Sequence, residues 1–146
     1  MVNTQIPSPA TTPPSTRPSR LLRWSGGIGS VALAGLSIAH LVVNSIGFAA
    51  TPDAGWPLFL LFGIGVSALA AGLAMLTWRY AVQGRGRRVA RVFVALAGII
   101  CCYNVVTVLQ LHPEVILVPA GPGPWSLIAG PALLLTALLP RREPTQ

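Results

Sequence analysis

The chain has no lysine, and its 146 residues include only three acidic side chains, two histidines and two cysteines. Each shortage removes a class of function. Charged residues make up 9% of the sequence and hydrophobic ones 53%, whereas a soluble domain is roughly one quarter charged. Such a composition belongs to a membrane protein. Cys101 and Cys102 are adjacent within an apolar run, so they supply neither a disulfide framework nor a Cys-x-x-Cys redox motif. They read as small buried hydrophobes. A bis-histidine haem would need two histidines at one depth, yet His40 lies inside an apolar run and His112 beside Pro113. His40 with Cys101 or Cys102 lacks any recognisable metal-ligand spacing, and the expectation is no cofactor and no metal.

What the sequence does have is arginine. All ten basic residues are arginines, giving a formal net charge of +7 and an isoelectric point near 11.4. In a soluble domain that balance would suggest a nucleic-acid partner. Here the arginines fall in three clusters between long apolar runs, and no aromatic residues interleave them as in a single-strand binder. The partner they imply is the lipid bilayer, and no nucleic acid is expected.

Residues 1–20 are rich in proline, serine and threonine with almost nothing apolar to bury, the composition of a disordered tail. From residue 21 to residue 142 four apolar runs predict helices over about 24–48, 56–78, 90–111 and 124–139; the first three are near the length that crosses a hydrocarbon core of about 30 Å, and the fourth is shorter than a comfortable span. A short tail, 143–146, follows. A cleavable signal peptide would also account for the basic flank of the first run and for Gly47-Phe48-Ala49. The run is longer than a signal core of about 7–15 residues, so an uncleaved first helix is expected. Thr51-Pro52-Asp53-Ala54-Gly55 reads as a turn, and Trp56 and Trp78 bracket the second run as an aromatic belt would. His112-Pro113-Glu114 ends the third helix. The stretch Pro119 to Pro124 is expected to be non-helical, with the last helix starting near Pro124 or Trp125 and bent at Gly130-Pro131. The competing reading makes 115–124 part of a broken membrane helix.

Orientation follows from where the arginines fall. Arg17, Arg20 and Arg23 precede the first helix, Arg79, Arg85, Arg87, Arg88 and Arg91 surround the second connection, and Arg141 and Arg142 follow the fourth helix. The first and third connections have none. The positive-inside rule then places both termini and the second connection in the cytoplasm of a bacterial cell, and Asp53 and Glu114 outside. The expected fold is an all-α antiparallel up-down bundle of four transmembrane helices.

Polar residues within the spans are the remaining candidates for chemistry. Ser30, Ser37, His40 and Asn44 fall within about 80° of arc on the first helix, and Tyr103, Asn104, Thr107 and Gln110 within about 120° on the third. Both stripes reach the outer half of the bilayer. They form a candidate patch, Ser37, His40, Asn44, Tyr103, Asn104, Thr107 and Gln110, expected either to meet across an interface or small outward-facing cavity, or only to hold helices together. The second is preferred, since interhelical hydrogen bonds in membranes average about 0.6 kcal/mol and serve as glue. Ser67 with His40 lacks any motif of a nucleophile and its base. Gly63, Ser67 and Ala71 on the second helix, and Gly35 and Ala39 on the first, recur at four-residue spacing and predict close packing.

Proton-coupled export in small multidrug-resistance transporters relies on a carboxylate inside the membrane, and none of the three here lies in an apolar run. The run Gly84-Arg85-Gly86-Arg87-Arg88-Val89-Ala90-Arg91 opening the third span, and Leu138-Leu139-Pro140-Arg141-Arg142 closing the fourth, instead resemble the small four-span integral membrane proteins of actinobacteria over most of 22–142. That resemblance implies a multi-pass protein of the cytoplasmic membrane and no shared activity. The expectation is a non-catalytic accessory, assembly or structural subunit, partnered by other membrane subunits or by copies of itself. The alternative is a small transporter or lipid-binding protein using the outer polar patch.

Overall fold

The computed structural model of the chain describes residues 18–50, 56–85, 88–118 and 121–140. The expected disordered tail up to residue 17, the 51–55 turn and the segment 141–146 lie outside the described residues, and with them Arg17, Arg87, Arg141 and Arg142. Four α-helices and one short 3-10 turn make up the described chain: α1 Arg20–Ala50, α2 Trp56–Ala81, α3 Arg88–Leu111, the turn Pro113–Val115, and α4 Pro122–Leu138. The first three are long and apolar enough to cross a membrane, while α4 has 17 residues.

Local chemistry sets where the helices begin and end. Ser19 caps α1: the Leu22 N–H donates to its hydroxyl at 3.2 Å and the Arg23 N–H to its carbonyl at 3.1 Å, satisfying donors that have no acceptor inside the helix. The helix therefore starts at Arg20 instead of Trp24. Gly84 takes a left-handed φ of 68° after α2, which lets the Arg85 N–H turn back onto the Arg79 carbonyl at 2.8 Å. The start of α4 corrects the expectation that residues up to Pro124 stay out of a helix. Pro122, Gly123 and Pro124 form its first turn; prolines fit there because first-turn N–H groups need no helical acceptor and φ is already near the helical value. Nor does a helix begin at Val115, as a broken span would require. Ile116 is instead buried, and its carbonyl lies 2.5 Å from where a β-carbon on Gly123 would sit. α4 runs unbroken through Pro131, whose missing N–H leaves the Leu127 carbonyl without its helical donor.

The helices pack as a ring in chain order. α1 packs on α2 and α4, α3 on α4, and α2 touches α3 more lightly. Every packed pair is antiparallel: Gly26 faces Ala81 and Gly63 faces Asn44 between α1 and α2, Gly29 faces Leu133 and Gly35 faces Trp125 between α1 and α4, and Gly98 faces Leu134 between α3 and α4. The arrangement gathers Arg20, Arg23, Arg79, Arg85, Arg88 and Arg91 at one end. At the centre, Leu33, Val94, Ala97, Ala129 and Leu133 from α1, α3 and α4 join Ala74 of α2 in one core. A second cluster, Leu22, Tyr80, Ala81 and Ala90, closes the arginine end. The apolar stretch of α1 is 44% buried against 22% for α2 and α3, so α1 is the most enclosed of the three long helices.

Small residues make this possible. Along one face of α2 the buried positions are Gly63, Ser67, Ala70, Ala74, Thr77 and Ala81, alternating four and three residues apart, with Tyr80 buried beside the last. That averages about 3.5 per turn, the period of left-handed antiparallel packing near +20°. Ala71, expected on the same face as Gly63 and Ser67, is exposed, because a strict four-residue repeat drifts off a face whose period is 3.5. The tightest approach is at Gly26, where an added β-carbon would lie 2.0 Å from the Ala81 β-carbon and 3.5 Å from Thr136.

The geometry distinguishes two identical substitutions. Gly26→Ala should lower stability by about 1–3 kcal/mol through overpacking, whereas Gly72→Ala, with nothing within 4 Å of the new methyl, should hold or raise it by up to about 1 kcal/mol through helix propensity. Reversible denaturation in mixed micelles measures both; an equal loss for the two would refute this picture of the seam.

Candidate functional site

Three polar pairs each bridge a different helix interface, while buried Ser30 and Thr77 donate to carbonyls of their own helices, Gly26 at 2.7 Å and Leu73 at 2.8 Å. Between α1 and α2, the Ser37 hydroxyl donates to the Ser67 carbonyl at 2.8 Å, and the Ser67 hydroxyl donates to the Ser37 carbonyl at 3.0 Å. A helical carbonyl has a second lone pair free for such a bond. Between α1 and α4 the Ser25 and Thr136 hydroxyls are 3.0 Å apart, and Thr136 donates to the Ala132 carbonyl at 2.7 Å. The Ser25 hydroxyl also reaches the Leu22 carbonyl, at 3.3 Å, so two protons are shared among three bonds and a single bond joins the two hydroxyls. Between α3 and α4 the Asn104 amide donates to the Ser126 hydroxyl at 3.4 Å. A charged donor completes the set. The Arg91 guanidinium donates through Nε to the Ala137 carbonyl, in the last turn of α4 where carbonyls lack helical partners and a cation is favoured.

The two expected polar stripes are therefore dispersed. α1 and α3 sit diagonally in the ring with α4 packed on both, so their faces share no interface. Ser37 turns to α2 and Asn104 to α4. His40 spends Nδ1 on the Leu36 carbonyl of its own helix at 3.0 Å, which places the proton on Nδ1, and Asn44 donates to the His40 carbonyl at 2.7 Å. Thr107 donates to the Tyr103 carbonyl at 3.0 Å. Such bonds to the preceding turn satisfy a polar side chain in an apolar medium without any partner helix. Gln110 is exposed, and Tyr103 is 72% exposed on the outer face of α3. An angular count along one helix has no term for which helices become neighbours.

No reactive constellation emerges from these contacts. Ser67, the one serine that pairs on paper with His40, gives its proton to the Ser37 carbonyl. Cys101 is buried in the core and both cysteines are free thiols; the Cys102 sulfur fills the space over Gly130. Among the described residues no three His, Cys, Asp or Glu side chains converge as a metal site. His112 and Glu114 form an exposed pair at 3.4 Å beyond the end of α3, a contact worth little in water.

One concavity does combine charge with apolar walls. A groove of about 830 Å³ opens between the arginine ends of α1 and α2, bordered by Arg20, Arg23, Trp24, Ile28, Val31 and Trp78. It was not anticipated as a site; the signal available in sequence was the spacing of Arg20, Trp24, Ile28 and Val31 along one face of a helix. Comparison of the chain with known protein families, with curated proteins and with solved structures gave no match.

The bonding pattern makes a distinction that pairwise mutation can read. Ser37 and Ser67 each bond the other's backbone, so Ser37→Ala and Ser67→Ala should each cost about 0.6 kcal/mol and add. Ser25 and Thr136 share one bond, so Ser25→Ala and Thr136→Val should be sub-additive by about the same amount. Thermodynamic cycles in micelles would contradict the assignment if the coupled and additive pairs were exchanged.

Proposed function

We propose that the chain is a four-span protein of the bacterial cytoplasmic membrane with its arginine end in the cytoplasm, acting as a non-catalytic accessory or assembly subunit for other membrane proteins. The membrane part is supported by three helices of sufficient length and apolarity and by the gathering of six arginines at one end of the bundle. At about 1.5 Å per residue α4 extends roughly 25 Å, and local thinning of the bilayer accommodates the shortfall.

The accessory role rests above all on Tyr103. Its side chain stands 72% exposed two thirds of the way along α3, at a depth where lipid offers a phenol no hydrogen-bond partner. Among the described residues nothing accepts its proton. Ile99, Ile100 and Val106 surround it on the same uncovered face. A polar group flanked by apolar side chains fits a neighbouring transmembrane helix better than it fits acyl chains. The alternative of a transport cavity between α1 and α3 has less support, since His40, Asn44 and Thr107 bond within their own helices.

Two measurements test the two parts. Cysteines placed at Gln83 and His112 should react with a membrane-impermeant maleimide from the cytoplasmic and the outer side respectively; the reverse pattern would overturn the orientation. A photoreactive residue replacing Tyr103 in native membranes should yield one discrete protein adduct, with none from the same probe at buried Val94. Lipid-sized adducts alone at Tyr103, or a mass of twice the chain, would count against an accessory subunit.

A further inference from the structure

We infer that the groove between the arginine ends of α1 and α2 binds one anionic phospholipid, with its phosphate on Arg20 and Arg23 and an acyl chain laid along Ile28 and Val31. The inference uses the membrane reading above but not the accessory role.

Polarity is graded along the groove as it is along a lipid. Positions 20, 23, 24, 27, 28 and 31 recur on one face of α1, and from Arg20 to Val31 the helix rises about 16 Å, from the headgroup level to well inside the acyl region. Charge lies at one end only. Arg20 and Arg23 are exposed, and among the described residues the sole ion pair, His112–Glu114, is at the opposite end of the bundle. Among the described residues neither guanidinium meets a carboxylate. Two planar forks three residues apart at the positive end of a helix suit the oxygens of a phosphate. Ser19 caps the helix by accepting from the Leu22 N–H and does not line the groove, so the guanidinium groups are the anion's ligands.

The walls specify a lipid over a soluble anion. Trp24 stands one turn below Arg20 and Trp78 of α2 lies deeper, about level with Gly29, the two being 63% and 43% exposed; an indole near the arginines favours the boundary between headgroup and chain. The rest of the wall, Gly27, Ile28, Val31 and Val82, carries no polar side chain. Gly27 leaves open space where a β-carbon would point, giving the groove a floor that a methylene chain can follow. Its volume, about 830 Å³, is of the order of small-molecule sites.

The test uses the full chain purified in a neutral detergent, with retained lipid counted by native mass spectrometry during titration with dioleoylphosphatidylglycerol or dioleoylphosphatidylcholine. One phosphatidylglycerol per chain should be retained, and phosphatidylcholine at least about tenfold more weakly. Arg20→Gln with Arg23→Gln should weaken phosphatidylglycerol by a similar factor, and so should Gly27→Leu, which fills the floor and leaves every arginine in place. Arg85→Gln with Arg88→Gln removes the same charge elsewhere and should change nothing. Unfolding midpoints equal to the parent's keep a folding defect from passing for lost binding, and Gly27→Leu decides the matter if the arginine pair unfolds. The proposal is overturned by equal retention of the two lipids, by Arg85/Arg88 weakening binding as much as Arg20/Arg23, by an inert Gly27→Leu, or by displacement with millimolar inorganic phosphate, which would mark a plain anion site. Retention in detergent is independent of orientation, so maleimide labelling and lipid counting fail separately.

Discussion

The closeness of α1 to its neighbours at Gly26 governs the rest of the bundle. There the helix meets Ala81 of α2 and Thr136 of α4 at once, with room for no side chain of its own. Water does not drive helices together inside a bilayer, since lipid tails are as apolar as leucine; dispersion contacts and a few hydrogen bonds must suffice. Both fall off steeply with separation. Only with backbones this near can Ser37 and Ser67 reach each other's carbonyls, or Ser25 reach Thr136. The glycines set the spacing, and the serines and threonines hold it.

That logic also explains what the buried hydroxyls are committed to. A hydroxyl that fixes a helix by donating to a carbonyl has no proton left for chemistry. Ser37, Ser67 and Thr136 are all committed in this way. The cysteines serve volume: Cys101 fills the core and Cys102 covers Gly130. Arg91 spans both roles of its residue type, lying with the other arginines at one end while tying α3 to the last turn of α4.

Helix number, approximate limits and the gathering of charge were legible in the sequence because each depends on local composition: run length, arginine position and turn residues. The four-residue recurrence of small side chains on α2 was legible too, but its face was misjudged at Ala71, where the true period is that of two helices wound on each other. Pro122 and Pro124 were read as barring a helix when they begin one, since proline's effect depends on whether its N–H would have had an acceptor. Pairing was the larger gap. His40 and Asn104 lie on polar stripes in any helical projection, yet which helix each stripe faces depends on ring order, and that is settled by contacts over a hundred residues apart, such as Ser25 with Thr136.

α1 outlasts the helix packed against its inner face. Its buried residues stop at Ala39, and Leu41, Val42, Val43 and Ile46 are exposed, because α4 begins at Pro122, one turn beyond the Trp125 that lies over Gly35. About 16 Å of helix thus projects past the four-helix core, braced by α2 through the Asn44–Gly63 contact. Among the described residues, α1 is held by α2 and α4 toward the arginine end and by α2 alone toward the other. A lateral load on that outer stretch would reach the core as torque about the Ser37–Ser67 clasp.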